Sequence, residues 1–593
     1  MAVTREISAA ALADIQKFDQ QLALYLAGEV EEDVFRVFRL NNGIYGQRQG
    51  GHNQMVRVKV PYGSLTPDQL EMMAHVADTY SRGWGHITTR QNIQFHFVPL
   101  ERIPDVLRDL ASVGLTTREA CGDTVRNVQG CHLAGACPFE VLDISPWAEA
   151  AFQHFLRSPI AQRLPRKFKI NFSGCATDCG QAMFNDVGVV AVARPKEDGT
   201  VEPGFRVFIA GGLGANPHPA LALEEFTSRE DLLPTIEAVL RVFDRTGNRD
   251  NKLRARLKWV VDTLGIEELR ARVVKERRFL RASATWPGPG VPEVVRERGD
   301  APAGISTTID ATPVGTPVTL RPTRDGRDTY AVWEQTNVVR GVAKGTVSAL
   351  AFCRLGDITS AQFRALAQIQ RDLGAEVRVT NRQNVVFRGL REDQLLDLHF
   401  RLLALGMADP GAELARDVVA CPGADTCNLA VTQSRGLADD IGRALEEAGL
   451  AEVGGIRINI SGCTNSCGQH HTSDIGFFGA ERRAHGTSAP GYQMLLGGHV
   501  GQTQIEFGQK AMRLPAKNVS KAVVAVVGRF AAEREAGEVF QDWLGRAGGA
   551  KAVGSTLAEL DVFPTPEENP DFYVDYGETG PYAAVIGASE CAT

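Results

Sequence analysis

The sequence predicts an α+β fold in which one plan is written twice along the chain. The residues Thr-Thr-Arg-Gln-Asn at 88–92 return as Thr-Asn-Arg-Gln-Asn at 380–384, so that Arg382 lies 292 residues after Arg90. Two pairs of cysteines also return, 290 and 288 residues later: Cys131 and Cys137 as Cys421 and Cys427, and Cys175 and Cys179 as Cys463 and Cys467. Because order and spacing are kept while the offset falls slowly, we interpret the chain as an ancient duplication with small loop deletions.

The first copy carries the pattern of a strand, a helix and a second strand. Val56, Val58 and Val60 alternate with basic residues, the period of two that is typical of a half-buried strand. Thr66 is suited to cap a helix that begins at Pro67, after which apolar residues recur on one helical stripe at 70, 73, 74 and 77. A second alternating run occupies 93, 95 and 97. The unit returns around 349–387, so two such halves can pair into one sheet.

Length and charge restrict the classes of function. With 593 residues and 44% hydrophobic content, the chain can form two or more domains with large buried cores. A net charge of -7 argues against nucleic-acid binding, which needs a basic domain or stripe. No apolar run is long enough to cross a bilayer, and the first residues show no signal-peptide pattern. We therefore expect a cytoplasmic protein with no membrane partner, whose 11 cysteines serve metal ligation rather than disulfides.

The second copy of the cysteine pattern is suited to an iron–sulfur cluster. Its pairs are spaced C-x5-C at Cys421 and Cys427 and C-x3-C at Cys463 and Cys467. Four thiolates from two close pairs match the four irons of a cubane. Zinc is the alternative, although structural zinc sites usually show a tighter C-x2–4-C pair. Small neighbours such as Gly462 let backbone N–H groups approach an anionic cluster.

Together these motifs resemble the sulfite and nitrite reductase haemoprotein family. The shared features are Thr-x-Arg-Gln at 88–91, the two cysteine pairs and Leu-Pro-Arg-Lys at 164–167, and the resemblance runs from about residue 40 to about residue 544. It implies an internally duplicated fold with paired ferredoxin-like half domains and two further α/β lobes. It also implies two cofactors: a [4Fe-4S] cluster on Cys421, Cys427, Cys463 and Cys467, and siroheme, whose iron shares the Cys467 thiolate and whose macrocycle lies near Asn465.

On this resemblance we divide the chain into six parts. They are a first ferredoxin-like half at 40–115, a first siroheme and substrate lobe at 116–281, a linker rich in proline and glycine at 282–326, a second ferredoxin-like half at 327–405, a second lobe with the cluster cysteines at 406–560, and a tail at 561–593 that contains Cys591. The sequence does not indicate a role for the tail.

The resemblance also assigns basic residues to the substrate and to the macrocycle. By their positions in the motifs, the residues that handle the anion are Arg90, Arg126, Lys167 and Lys169. Sulfite or nitrite needs positive charge and proton donors as its oxygens leave as water, and arginine and lysine supply both. Siroheme carries peripheral carboxylates, for which the candidate partners are Arg57, Lys59 and Arg48. The alternative for Arg57 and Lys59 is an exposed strand face.

The first copy departs from the family pattern because it keeps a full cysteine quartet of its own, formed by Cys131, Cys137, Cys175 and Cys179. In the second copy, basic residues also stand where three of the anion-handling residues stand in the first: Arg382, Arg416 and Arg457 correspond to Arg90, Arg126 and Lys169. A second [4Fe-4S] cluster, with or without a second siroheme, is therefore one hypothesis. The other is a vestige whose thiols pack as small hydrophobic side chains.

The activity that the resemblance implies is a six-electron reduction, of sulfite to sulfide or of nitrite to ammonia. Lys169 favours sulfite, because this position is lysine in members that favour sulfite and commonly asparagine in plant-type nitrite reductases. A separate ferredoxin or flavoprotein must supply the electrons, since no Gly-rich dinucleotide fingerprint is present. The rival classes are an iron–sulfur electron carrier without siroheme and a structural zinc protein.

Overall fold

The computed structural model describes residues 6–283, 329–501 and 505–587. Within them the helices are α1 (Ala9–Leu26), α2 (Glu32–Asn41), α3 (Pro67–Tyr80), α4 (Ile103–Ser112), α5 (Ser145–Phe155), α6 (Leu232–Thr246), α7 (Leu257–Leu264), α8 (Ile266–Ala282), α9 (Thr329–Asn337), α10 (Ser360–Leu373), α11 (Leu395–Ala404), α12 (Ser434–Glu447), α13 (Val519–Glu533), α14 (Phe540–Arg546) and α15 (Gly549–Ser555). No helix in these ranges is both long and apolar enough to cross a membrane.

The strands of the first copy are β1 (Ile44–Gly46), β2 (Asn53–Val58), β3 (Ser64–Leu65), β4 (Trp84–Ile87), β5 (Ile93–Pro99), β6 (Gln129–Gly130), β7 (Ile170–Ser173), β8 (Val187–Pro195), β9 (Val201–Ile209) and β10 (Leu221–Thr227). Those of the second copy are β11 (Val338–Arg340), β12 (Thr346–Ala351), β13 (Asp357–Thr359), β14 (Glu376–Val379), β15 (Val385–Arg391), β16 (Val419–Ala420), β17 (Ile458–Ser461), β18 (Ile475–Ala484), β19 (Thr487–Leu496) and β20 (Gln509–Pro515). Each copy therefore repeats the same order of ten strands.

The expected strand–helix–strand unit is confirmed in the first copy. Thr66 caps α3 with its side chain, Gln69 returns the bond to the Thr66 backbone, and Pro67 is the first helical residue. The alternation expected along β5 ends early, because a bulge shifts the register between β2 and β5. As a result Phe97 has a positive φ of 61° and Val98 is buried instead.

The two half domains form two sheets, not the single sheet that the repeated pattern suggested. The strand orders are β1-β2-β5-β4-β13 and β11-β12-β15-β14-β3, so each sheet takes its last strand from the other copy. Chain kinks at Gly63 and Gly356, both with positive φ, direct these short strands across. A Cβ at Gly63 would lie 2.2 Å from the Val379 carbonyl oxygen, so only glycine fits there. The exchange joins both halves into one hydrophobic core.

Each half domain is followed by a lobe built on a mixed sheet. The orders are β10-β9-β8-β7-β6 and β16-β17-β18-β19-β20. In the first lobe β6, β7 and β8 are parallel to one another, and in the second lobe β16, β17 and β18 are. The remaining strand pairs of both sheets are antiparallel. The carboxyl ends of parallel strands meet at one edge of a sheet, and this edge carries the cysteines.

The described part of the tail is ordered against the second lobe. Phe563 and Tyr573 pack with Ala489 of β19 in a small core of their own. The linker predicted at 282–326 falls outside the described residues except for its first two positions, and so does Cys591.

Candidate active site

Adjacent parallel strands bring the second cysteine quartet together. Cys421 follows β16 directly, and Cys463 follows β17 after one glycine. The Cys421 amide donates to the Ile460 carbonyl at 3.2 Å, which continues the pairing of the two strands past their ends. The Gly462 amide points at the Cys421 sulfur, 3.2 Å away. The sequence predicted backbone N–H groups that point at the cluster site, and the Gly462 amide is one of them.

The four thiols of the second quartet form one electrostatic group. Burial raises the pKa of Cys463, and its three partner cysteines raise it further. Burial likewise raises the pKa of Cys427 to about 12. Cys467 is exposed, whereas the other three are partly buried. In the described ranges no three His, Cys, Asp or Glu side chains converge closely enough to hold a single metal ion. A cubane binds each thiolate at a different iron and does not require that convergence.

The first half domain contacts the loop that ends the quartet. The hydroxyl of Thr89 donates to the Cys467 carbonyl at 2.9 Å, and the Gln469 side chain donates to the Thr89 carbonyl at 3.3 Å. The Thr-Thr-Arg-Gln motif of the first copy is thus held against the C-x3-C motif of the second. The next residue, Arg90, is thereby fixed beside the same loop.

Arg90 is held in a buried polar frame. Its guanidinium donates to the side-chain oxygens of Asn171 and Asn185 at 3.2 and 3.3 Å and to the Asn127 carbonyl at 2.9 Å. Burial lowers the pKa of Arg90, and the charge of Arg126 lowers it further. Its buried Nε has no hydrogen-bond partner among the described residues. The groups that accept from the guanidinium are neutral, and the carboxylate that acts on Arg90, Asp186, is itself paired with Arg256.

Lys169 lies beside Arg90 at the start of β7. Its backbone amide donates to Asp186 at 3.0 Å, and Asp186 is paired with Arg256 at 2.7 Å. Burial, and then the charges of Arg90 and Arg256, lower the pKa of Lys169 well below its usual value. Lys167 belongs to the same group, because its charge also lowers the pKa of Lys169. A bound anion would reverse this effect and favour the charged ammonium, which can then donate a proton.

The last of the four expected anion-handling residues, Arg126, is committed to backbone carbonyls. Its guanidinium donates to Gly122 at 2.7 and 3.0 Å and to Ala120 at 3.1 Å. Its charge acts on Arg90. The structure therefore brings all four expected residues into one region, with Arg126 acting on the group from a fixed position.

Sequence reasoning missed two cations of this region, Arg256 and Lys258. Arg256 immediately precedes α7 and reaches Asp186, and a Cβ at Gly212 would lie 2.8 Å from its Nη1. Lys258 donates to the Leu213 carbonyl at 3.3 Å, and burial lowers its pKa to about 8. Neither residue belongs to a motif. The only sequence signal was the glycine run at 211–214, which allows this close approach.

The candidates for the macrocycle carboxylates are placed differently from one another. Lys59 is not on an exposed strand face: it lies past the end of β2, is 2% exposed, and pairs with the buried Glu119 at 3.4 Å. Arg57 is half-buried, with its guanidinium over the Tyr45 ring. Arg48 donates to the Ala430 carbonyl in the segment that follows the C-x5-C motif. Asn465 is exposed between Cys463 and Cys467.

A cavity of about 690 Å³ borders the C-x3-C loop. It is lined by Thr464 and by two adjacent histidines, among other residues. His470 is buried, its Nδ1 lies 2.8 Å from the Ser461 hydroxyl, and burial lowers its pKa well below the usual value. His471 lies 3.0 Å from the Gly214 carbonyl. These contacts join the glycine run of the first copy to the cysteine loop of the second.

The tail covers the segment after the C-x5-C motif. Asp575 accepts from the Gln433 amide at 2.9 Å, and the Tyr582 hydroxyl donates to the Val431 carbonyl at 3.1 Å. The Gly587 amide donates to Asn428, the residue after Cys427, at 2.8 Å. The tail and Arg48 therefore enclose this segment from two directions.

Family models match both copies of the chain. The model described as the nitrite and sulphite reductase 4Fe-4S domain matches residues 121–279 and 411–555. The model described as the nitrite/sulfite reductase ferredoxin-like half domain matches 45–113 and 342–405. The first model thus recognises both lobes, including the one that carries the first cysteine quartet.

Relatives with assigned names include both kinds of reductase. An assimilatory ferredoxin-dependent nitrite reductase of Haloferax mediterranei is 32% identical over 88% of this chain and 86% of its own. A sulfite reductase [ferredoxin] of Mycobacterium tuberculosis is 29% identical over 85% of this chain and 87% of its own. Among solved structures, the Mycobacterium tuberculosis NirA protein matches with a TM-score of 0.72 and 27% identity, covering 90% of this chain and 96% of that one.

Proposed function

The chain belongs to the nitrite and sulphite reductase family, and we propose that it reduces sulfite to sulfide with six electrons. The observation that carries this proposal is the group of cations around Lys169. Burial and then the charges of Arg90, Arg256 and Lys167 lower the pKa of Lys169, and the carboxylate of Asp186 opposes them. Such a group favours an anion with up to two charges and supplies protons as its oxygens leave.

We propose two cofactors, a [4Fe-4S] cluster on the second quartet and siroheme beside it. The residues fit siroheme, because Cys467 is the exposed cysteine of the quartet and its backbone carbonyl accepts a hydrogen bond from Thr89, the residue before Arg90. The buried Nε atoms of Arg90 and Arg256 have no partner among the described residues and can serve an anionic group. When bound, the cluster and siroheme would pass the donor's electrons to the anion, with Cys467 as the residue that would hold both groups. Arg57, half-buried on β2 of the first half domain, is the candidate for a peripheral carboxylate.

In this proposal the chain binds, orients and protonates the anion. Arg90 is rigid, because three hydrogen bonds fix its guanidinium, and it orients the oxyanion. Lys169 and Lys167 are mobile donors. The anion raises the pKa of Lys169 as it binds, so the ammonium is charged when a proton is needed and neutral after it has been given. Arg126 and Arg256 contribute positive charge from fixed positions.

Nitrite is the second candidate substrate, favoured by the 32% identity to the Haloferax mediterranei nitrite reductase. Nitrite carries one charge and two oxygens, so it requires fewer of the cations than sulfite does.

We propose ferredoxin as the electron donor, because the relatives of both kinds are named for it.

An absorption spectrum and steady-state assays test the proposal. Siroheme gives an intense Soret band and a band in the red that a cluster alone lacks, and zinc gives neither. With a reduced viologen as donor, we expect turnover of both anions and a higher kcat/KM for sulfite. Cys467→Ser should abolish turnover, whereas Cys353→Ser, at a buried cysteine outside both quartets, should not. A colourless protein, or a Cys467→Ser variant with full activity, would refute the proposal.

A further inference from the structure

The first cysteine quartet is held by the same scaffold as the second. The Cys131 amide donates to Phe172 at 3.0 Å, as Cys421 does to Ile460 at 3.2 Å. Three further bonds donated by backbone amides repeat between the copies. The Cys137 amide donates to the Leu133 carbonyl at 2.9 Å, as Cys427 does to Gly423 at 3.0 Å, and the Val141 amide donates to the Gly174 carbonyl at 2.8 Å, as Val431 does to Gly462 at 2.7 Å. The Gly180 amide donates to the Ser173 hydroxyl at 3.1 Å, as Gly468 does to Ser461 at 3.0 Å. The backbone of a cluster site is therefore intact in the first lobe.

Even the unfavourable backbone angles are repeated. Asp178, before Cys179, has a φ of 55°, and Ser466, before Cys467, has a φ of 57°. Two residues after each last cysteine, Gln181 and Gln469 have φ values of 58° and 63°. Positive φ is uncommon for residues other than glycine and costs free energy. A lobe that had lost its cluster would have no reason to retain this strain at both positions.

The first quartet is also gathered in space and enclosed. The thiols of Cys179 and Cys131 are hydrogen-bonded, and those of Cys137 and Cys175 act electrostatically on the same group. Cys131 and Cys137 are buried, and Cys175 and Cys179 are partly buried. We propose that Cys131, Cys137, Cys175 and Cys179 bind a second [4Fe-4S] cluster. This goes beyond the proposed reduction and does not depend on which anion is the substrate.

The mirror-related anion region beside this second cluster keeps Arg382 and Arg457, but carboxylates of the chain act on the charge of Arg382. Arg382, the counterpart of Arg90, is accompanied by Glu413, whose carboxylate lies 3.6 Å from His132 and acts on both the histidine and Arg382. The counterpart of Glu413 in the first copy is Asp123, which points away to Lys252 at 2.7 Å. A carboxylate of the chain thus occupies the region that a substrate anion would need.

Two further exchanges make the same region less positive: one adds a carboxylate, and the other lacks an arginine. Asn127, beside Arg90, is replaced by the buried Asp417, which accepts from the Glu413 amide at 2.7 Å. Asp474, the counterpart of Asp186, is bonded to the neutral Gln541 at 2.6 Å, where Asp186 has Arg256.

The position of Lys167 is occupied by Gly455 in the second copy. Because siroheme is itself a polycarboxylate, the region repels the macrocycle as well as the substrate. The inference is therefore specific: two clusters but one siroheme in each chain.

Counting inorganic sulfide and iron in the purified, anaerobically reconstituted chain tests this. Two cubanes and one siroheme give about eight acid-labile sulfides and about nine irons per chain, whereas one cubane gives about four and about five. Replacing Cys175 and Cys179 with serine should remove about four of each and leave extracted siroheme at one per chain. Cys353→Ser is the matched control and should change neither count.

A wild-type chain with about four acid-labile sulfides per chain would overturn the inference, as would a double variant that keeps all its iron. Two sirohemes per chain would overturn the inference that Glu413 and Asp417 keep a second siroheme away from this region. If the double variant does not fold, the number of acid-labile sulfides per wild-type chain still decides. Absence of siroheme would refute the proposed function and not the second cluster, because sulfide is counted separately.

Discussion

The hydroxyl of Thr89 and the carbonyl of Cys467, which are 378 residues apart in sequence, are joined by a hydrogen bond of 2.9 Å. The mirror-related residues repeat the contact, with the Asn381 amide group donating to the Cys179 carbonyl at 2.7 Å. Each half domain therefore supports the last cysteine of the other copy's quartet. Neither copy contains both partners of either contact.

We expect Thr89→Val to weaken this support. The change removes one hydrogen bond worth about 1 kcal/mol, which corresponds to roughly a fivefold loss if Cys467 must be held for electron transfer. The measurement is kcat with a viologen donor, together with the Soret position, which reports on the iron ligand. Thr89→Ser keeps the donor and should behave as the wild type. Equal losses in both variants would assign the effect to packing instead.

The tail should protect the cluster from air. A chain that stops after residue 571 loses the bonds from Asp575, Glu578 and Tyr582 to the segment after the C-x5-C motif, and that of Tyr576 to Asp440. At about 1 kcal/mol for each bond, local opening becomes easier by well over a factor of about ten. We expect cluster absorbance to bleach at least about tenfold faster in air.

The matched control for this truncation is a chain that stops after Gly587. It keeps all four of these side-chain bonds and lacks only the last residues, including Cys591. We expect it to bleach at the wild-type rate. If both truncated chains bleach equally fast, the protection comes from the last residues and not from the contacts described above.

Much of the fold was predictable because local chemistry repeats. Thr66 and Pro67 specify a helix start, and the cysteine pairs identify the site before any contact is known. The crossing of β3 and β13 was not predictable, since strands of two and three residues leave no periodic pattern. Arg256 was missed for a different reason: it meets Asp186 across 70 residues, through an approach that depends on the fold.

The rate with nitrite should fall as pH rises through about 8. Burial and the charge of Arg256 lower the pKa of Lys258 to about 8, so this lysine is charged below that pH and neutral above it. Nitrite remains a monoanion throughout, so the change belongs to the protein. At an effective dielectric constant of about 20, one charge contributes about 1 kcal/mol even at roughly 16 Å from the anion, so we expect at least a roughly fivefold change in kcat/KM.

Two variants identify the group responsible for this pH profile. Lys258→Met should lower kcat/KM below pH 8 and flatten the fall, whereas Lys258→Arg, which stays charged, should move the fall to higher pH. A fall near pH 8 that persists unchanged in Lys258→Met would assign the titration to another group.

Substrate preference should depend on Lys169, whose pKa is lowered well below its usual value by burial and by the charges of its cationic neighbours. Sulfite presents three oxygens and up to two charges, nitrite two oxygens and one charge, so an additional cation contributes more to the larger anion. Contacts between charged groups removed from water are typically worth about 1.5–3 kcal/mol. We therefore expect Lys169→Asn to lower kcat/KM for sulfite at least about tenfold more than for nitrite. Lys275→Asn, at an exposed position on α8, is the control and should change neither value. The sulfite assignment fails if the wild type already prefers nitrite, or if Lys169→Asn leaves the ratio of the two kcat/KM values unchanged.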